Sequence, residues 1–160
     1  MPSRVAIDEV AGSARDALKE IRAAVYDMTV TTVEAEIELA RQALDAAGIS
    51  LTVDDEVPPL SPPLGKALGL TIREAVTNIV RHSKADSARI QLRPGSDELT
   101  LTVSDNGVGG DVGSGSGAGL DGVRKRITAL GGDMQLTSRN GTELSVSLPI
   151  ADEFPAGSEA

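Results

Sequence analysis

The sequence predicts an α+β fold, a two-layer sandwich in which three helices cover one face of a single mixed β-sheet. Two observations in the 160-residue chain carry this expectation. Apolar residues recur at helical spacing in long segments, and between those segments they alternate with polar residues in short runs bounded by turn signals. The alternation implies that one side of each strand is buried and the other is wet, as in an open sheet covered on one face.

The elements follow in order. Ile7, Ala11, Ala14, Leu18, Ile21, Val25 and Met28 repeat at spacings of 4 and 3, a heptad seam flanked by charged residues. So narrow a stripe is either an amphipathic helix packed on its own domain or, the preferred reading, a helix of a dimerising bundle. Thr31 followed by Glu34 has the spacing of a capping box and opens a helix over 33–47 that buries Ile37, Ala40 and Leu44 and stops at Gly48. Ile49, Leu51 and Val53 alternate as a strand, and Pro58, Pro59, Pro62 and Pro63 mark a loop. A long helix is expected from about Leu64 to Ser83, with Leu64, Leu68, Ile72, Ala75 and Ile79 on its buried face. Strands at 88–93 and 98–104 flank the turn Pro94–Asp97. A helix over 120–130 ends at Gly131-Gly132, and strands at 134–139 and 142–148 form a hairpin around Asn140-Gly141. The reading divides the chain into a heptad segment at 1–30, a globular domain at 31–150 and a small, acidic tail at 151–160.

Composition narrows the function. With 15 basic residues against 24 acidic ones, a net charge of −9 and 1% aromatics, the chain lacks both the positive surface and the stacking rings that nucleic acid requires. Without cysteine, disulfides, thiolate metal sites and cysteine nucleophiles are excluded, and a single histidine, His82, excludes a histidine-cluster metal site. No apolar run is long enough to span a membrane and no signal pattern opens the chain, so a soluble cytoplasmic domain is expected.

Two features carry chemistry. Along the helix at 64–83, Glu74, Asn78, Arg81 and His82 fall at i, i+4, i+7 and i+8, a polar stripe on an otherwise apolar helix. Downstream, Asp105-Asn106-Gly107-Val108-Gly109 closes a strand, and seven of the 17 glycines lie between Gly107 and Gly119, directly before a helix. Glycine admits close backbone approach and a helix N-terminus offers free N–H groups, a combination suited to phosphate. By itself such a loop is more often a flexible connection than a cradle. It is neither a Walker A loop nor a dinucleotide fingerprint.

Taken together, these motifs resemble the Bergerat (GHKL) ATP-binding fold shared by gyrase, Hsp90, histidine kinases and MutL. Arg73-Glu74-Ala75-Val76-Thr77-Asn78-Ile79-Val80-Arg81-His82 is similar to its N box, Asp105-Asn106-Gly107-Val108-Gly109 to its G1 box, and Gly117-Ala118-Gly119-Leu120 to its G2 box. The stretch from Gly119 to Gly132 and the closing Gly141–Pro149 resemble most the catalytic domain of NarL/DesK-type sensor histidine kinases. The resemblance implies ATP and Mg²⁺ as ligands. It makes Asn78 the residue whose carboxamide oxygen holds Mg²⁺, Glu74 a residue near the metal's waters or a base, Arg81 a phosphate contact and His82 a nucleotide neighbour. It makes Asp105 the acceptor of the adenine amino group, supported by Thr142. Gly107 and Gly109 pass close to the base, and Gly117, Gly119 and Leu120 shape the phosphate end of a short lid at 110–117.

A histidine kinase also requires a phosphoacceptor histidine, and His82 lies inside the nucleotide motif. The resemblance therefore implies that the acceptor sits on a bundle helix outside this chain, with the heptad segment as the remnant of the second bundle helix. A LuxR/NarL-type response regulator would act downstream, and the parent protein would be cytoplasmic or the cytoplasmic part of a membrane-bound sensor. The fragment is expected to be a monomer or weak dimer. The alternatives are an anti-sigma-factor-type serine kinase of the same fold and a non-catalytic regulatory nucleotide-binding module.

Overall fold

In the computed structural model, residues 14, 17, 18, 21, 31–108 and 117–150 are described. The chain divides into two compact units, Met1–Val30 and Thr31–Ala160. In the first, the described residues Ala14, Ala17, Leu18 and Ile21 are helical and exposed. Of the heptad seam, Ile7, Ala11, Val25 and Met28 lie outside the described residues, as do the tail at 151–160 and lid residues 110–116.

The second unit runs α1 (Val33–Ala46), β1 (Ser50–Asp55), α2 (Pro62–Asn78), a π turn (Ile79–Ser83), β2 (Ser87–Pro94), β3 (Glu98–Asp105), α3 (Gly117–Ala129), β4 (Asp133–Ser138) and β5 (Thr142–Pro149). The strands form one sheet in the order β1-β2-β3-β5-β4, with β1 parallel to β2 and every other pair antiparallel. This is the α+β sandwich that the periodicities predict. Leu99, Leu101 and Val103 of β3, Ile90 and Leu92 of β2, and Leu144, Val146 and Leu148 of β5 point inward. They form one cluster with Ile37, Ala40 and Leu44 of α1, Leu68, Ile72 and Ala75 of α2, and Val123 and Ile127 of α3. The described core is wholly aliphatic apart from Met134. The alternate strand residues, among them Thr100, Thr102, Ser145 and Ser147, make the sheet's other face polar.

Local chemistry places the ends. Both α1 and α3 finish in Schellman motifs with glycine at positive φ: Gly48 donates to Asp45 O and Ile49 to Leu44 O, as Gly131 donates to Thr128 O and Gly132 to Ile127 O. The start of α1 differs from expectation. Thr32, not Thr31, is the N-cap, its hydroxyl accepting from the Ala35 N–H at 3.1 Å, and Thr31 turns its hydroxyl to the buried Glu36 instead. The capping box therefore does not form. Pro62 and Pro63 belong to the first turn of α2 rather than to a loop, because proline lacks only an N–H that this turn leaves unpaired anyway. The hairpin closes with Ser138 opposite Thr142, a three-residue loop in which Asn140 and Gly141 both take positive φ. Among the described residues, no helix is long and apolar enough to cross a membrane.

Two substitutions on adjacent β3 residues test the sidedness of the sheet. Leu101, fully buried, should cost about 2–5 kcal/mol on truncation to alanine. Thr102→Ala, on the polar face, should stay within about 0.5 kcal/mol of the parent. Urea unfolding measured side by side separates the two outcomes.

Candidate functional site

The site grows from the C-terminal half of α2. Glu74 and Asn78 stand one turn apart on the same face, both half-buried. Among the described residues neither the carboxylate nor the carboxamide has a hydrogen-bond partner, so both leave oxygen donors available. Beyond Asn78 the backbone widens into the π turn, and the helix stops at Lys84, which adopts a left-handed conformation with φ of 51°. The wider turn changes the expected stripe. In an unbroken α-helix Arg81 and His82 would continue the Glu74–Asn78 face, whereas the extra residue per turn rotates both backward. They emerge exposed on the same segment.

Ser83 closes the turn and is buried. Its hydroxyl donates to Ile79 O at 2.8 Å and accepts from the Ala85 N–H at 3.1 Å. Its carbonyl accepts from the Val108 N–H at 2.8 Å, so the exit of the π turn is bonded to the loop that follows β3. That loop is held at a second point by Asn106, whose carboxamide oxygen accepts from the N–H groups of Asp86 and Ser87 at 2.9 and 3.0 Å while its own N–H donates to Ser87 O. Between these anchors Gly107 lies directly against the Ser83 backbone, where any Cβ would collide with the carbonyl.

Asp105, half-buried at the end of β3, accepts from the Gly107 N–H through Oδ1 at 2.8 Å, and among the described residues Oδ2 has no partner. Thr142 of β5 is its direct cross-strand neighbour, and Ala88 of β2 flanks it on the other side. Residues paired in this way share a face, so Asp105 and Thr142 both belong to the inward row at the end of the sheet. Gly141 packs on the Asp105 carbonyl, and a Cβ there would overlap it.

From the other direction, Gly119 in the first turn of α3 approaches Glu74 so closely that a Cβ would run into the carboxylate. Leu120, next to it, is buried and pins α3 to the core. Gly117 is the first residue of α3, and Gly109 lies outside the described residues. Glu74 thus meets Gly119, and Asp105 faces Thr142, while the turn around Gly107 is bonded to the end of the helix that carries Asn78. Asn106, Ser83 and Gly141 hold these groups in place, and the sequence reading assigns none of them a role in the site. Asn106-Gly107 looks like an ordinary turn and Gly141 like an ordinary hairpin glycine. Among the described residues no cluster of three or more acidic or histidine side chains could cage a metal. The unpartnered oxygens of Glu74 and Asn78 do suit Mg²⁺, which takes few protein ligands and keeps several waters.

The Asn106 anchor is testable in isolation. Asn106→Ala removes the acceptor of two backbone N–H groups and should cost about 1 kcal/mol in chemical denaturation, with faster amide exchange at Asp86 and Ser87. Asn106→Asp keeps an acceptor oxygen there and should retain most of that stability and protection.

Comparison with known proteins places the fold in a family. Residues 63–152 match the family model of the histidine kinase-, DNA gyrase B- and HSP90-like ATPases. The sensor histidine kinase YvfT of Bacillus subtilis is 30% identical over 153 residues, covering 93% of this chain and 41% of that protein. The sensor histidine kinase DesK of the same organism is 32% identical over 147 residues, covering 89% of this chain and 40% of that protein. The chain therefore spans about two fifths of the length of these relatives. Among solved structures, the histidine kinase AdeS of Acinetobacter baumannii shares the fold with a TM-score of 0.65 at 16% identity, over 93% of this chain and 86% of that one. On the match of its family model over more than half of its length, the chain belongs to the histidine kinase-, DNA gyrase B- and HSP90-like ATPase family.

Proposed function

We propose that this chain is the ATP-binding catalytic part of a two-component sensor histidine kinase of the NarL/DesK type, which binds Mg-ATP and presents the γ-phosphate to a histidine supplied from elsewhere. The observation that carries the reading is the convergence of Glu74 with Gly119 and of Asp105 with Thr142. It brings groups from three separate motifs onto one framework inside a family of ATPases.

In this reading Asp105 selects the base. Its Oδ1 is held by the Gly107 N–H, which turns Oδ2 into the acceptor for an exocyclic amino group. Adenine offers that donor, whereas guanine would set a carbonyl oxygen against the carboxylate. Thr142, across the strand, steadies the aspartate's end of the sheet. Asn78 offers its carboxamide oxygen to Mg²⁺, which would neutralise charge on the phosphates. Glu74, one turn away, orients water beside the metal or accepts a proton. Arg81 and His82, exposed on the π turn and off the Glu74–Asn78 face, would reach the phosphates and the nucleotide from its side. Gly117 and Gly119 admit the phosphates to the first turn of α3, where free N–H groups favour anions, and Leu120 keeps that turn docked. Gly109 extends the turn begun at Gly107, passing close to the base.

Phosphoryl transfer relies on positioning and charge stabilisation rather than on covalent chemistry by the enzyme. His82 is the chain's single histidine and is committed to the nucleotide side, so transfer requires a bundle helix bearing the acceptor, with a LuxR/NarL-type response regulator downstream. Residues 1–30 are the remnant of that bundle. The site works in the cytoplasm, where ATP and the regulator are found.

Calorimetric titration with Mg-ATP tests the assignment. Asp105→Asn and Asn78→Ala should each weaken binding at least about tenfold, the loss expected when a charged hydrogen bond or a metal ligand is removed. GTP should bind the parent chain correspondingly more weakly than ATP. Unchanged affinity in both variants would overturn the site. With labelled ATP, phosphate should appear on an added histidine-bearing bundle and not on serine.

A further inference from the structure

Glu36 is a buried carboxylate that plays no part in nucleotide chemistry, with 2% of its side chain exposed. One of its oxygens, Oε1, accepts from the Thr31 hydroxyl at 2.7 Å and from Arg73 Nε at 3.1 Å, and forms an ion pair with Arg73 Nη2. Thr31 is where the compact unit begins, and Arg73 sits on α2 immediately before Glu74. There is little slack between the two helices. A Cβ at Gly69 of α2 would lie 3.1 Å from Thr32 O and 3.3 Å from both Glu36 Cγ and Thr31 Cγ2. On α2 the link runs on, since the Arg73 carbonyl accepts from the hydroxyl of Thr77, the residue before Asn78.

We propose that Thr31, Glu36 and Arg73 form a regulatory strap that ties the geometry of Glu74 and Asn78 to the path of the chain as it enters the catalytic fold at Thr31. The inference rests on the function proposed above and assigns that site a route of control. Three features favour coupling over mere support. An ion pair whose carboxylate is buried while its guanidinium is only partly so is a costly way to hold two helices, because apolar side chains of similar volume do so at comparable stability. Thr31 directs its hydroxyl to the pair and leaves helix capping to Thr32. The pair ends on the residue adjacent to Glu74, not at a distant point of α2. Displacement of Thr31 removes a bond to the oxygen that holds the guanidinium, and the turn of α2 bearing Glu74 and Asn78 then loses part of its restraint. Because coupling is reciprocal, nucleotide at the site must in turn tighten the strap.

The experiment uses the whole chain. Thr31→Val deletes one hydrogen bond at nearly constant volume. The paired variant E36L/R73M replaces the network with apolar groups and stays folded. Ile37→Val, on the same helix, is the control for a simple loss of stability. Mg-ATP affinity is measured by calorimetry, and amide exchange across 33–37 is followed with and without saturating Mg-ATP. The expected result is that Thr31→Val and E36L/R73M each weaken Mg-ATP by about fivefold or more, while Ile37→Val binds as the parent does. Nucleotide should slow exchange across 33–37 in the parent and leave E36L/R73M unchanged. If the parent binds Mg-ATP but both strap variants match it, and exchange at 33–37 ignores nucleotide, the strap is a structural pair and the inference falls. If the parent does not bind Mg-ATP, the proposed function falls first and the strap with it.

Discussion

The burial of α2 on nearly every side is the constraint from which the rest of the structure follows. Leu68, Ile72 and Ala75 meet the sheet, Gly69 admits α1, and Glu74 reaches the first turn of α3. An amphipathic surface helix can slide or rotate while its stripe stays covered, but a helix enclosed in this way is held closely along most of its length, because its apolar faces have complementary neighbours. The polar groups at its C-terminal end therefore need no loop to orient them. Glu74 and Asn78 are placed by the packing of apolar residues a turn or two away, with the Glu36–Arg73 pair bracing the turn that carries them, which is how a small aliphatic domain can present an organised site.

Where α2 ends, hydrogen bonds take over from packing. The π turn ends at Ser83, whose carbonyl holds Val108, and Asn106 holds the chain as it enters β2. The two anchors bracket Gly107, and Gly107 in turn fixes one oxygen of Asp105. A short series of bonds thus connects the helix that would hold the metal to the carboxylate that would hold the base. Close contacts at Gly107 and Gly141 make this possible, since any side chain at either position would force the loop away from its neighbour. The glycines serve here as contact surfaces more than as sources of flexibility.

Much of this was legible in the residues alone, and the exceptions share a cause. Every strand and every helix of the compact unit lies close to its expected span, because period-2 and period-3.6 patterns report one-sided burial directly. Gly48 and Gly131 end their helices as expected, since a left-handed terminus is a local demand of the backbone. Thr31 and Thr32 are equally good caps in sequence, and a buried carboxylate decides between them. Pro62 and Pro63 suit a loop or a first helical turn equally well, and the packing of α2 selects the turn. The polar stripe Glu74, Asn78, Arg81 and His82 follows an α-helical period, which the π turn breaks, and that turn is bonded to a loop more than twenty residues further along.

Sequence by itself determined the class of fold and the order of its elements, and it marked the residues proposed to bind a nucleotide, because these depend on local spacing and on the chemistry of individual side chains. The tertiary structure decided which of those residues meet, and which unremarkable ones hold them. Asp105 faces Thr142 through strand register, Glu74 meets Gly119 through helix packing, and Asn106, Ser83 and Gly141 acquire their roles through contacts between distant segments. Register and close approach are properties of pairs of segments, and a single chain read in order carries no measure of the distance between them.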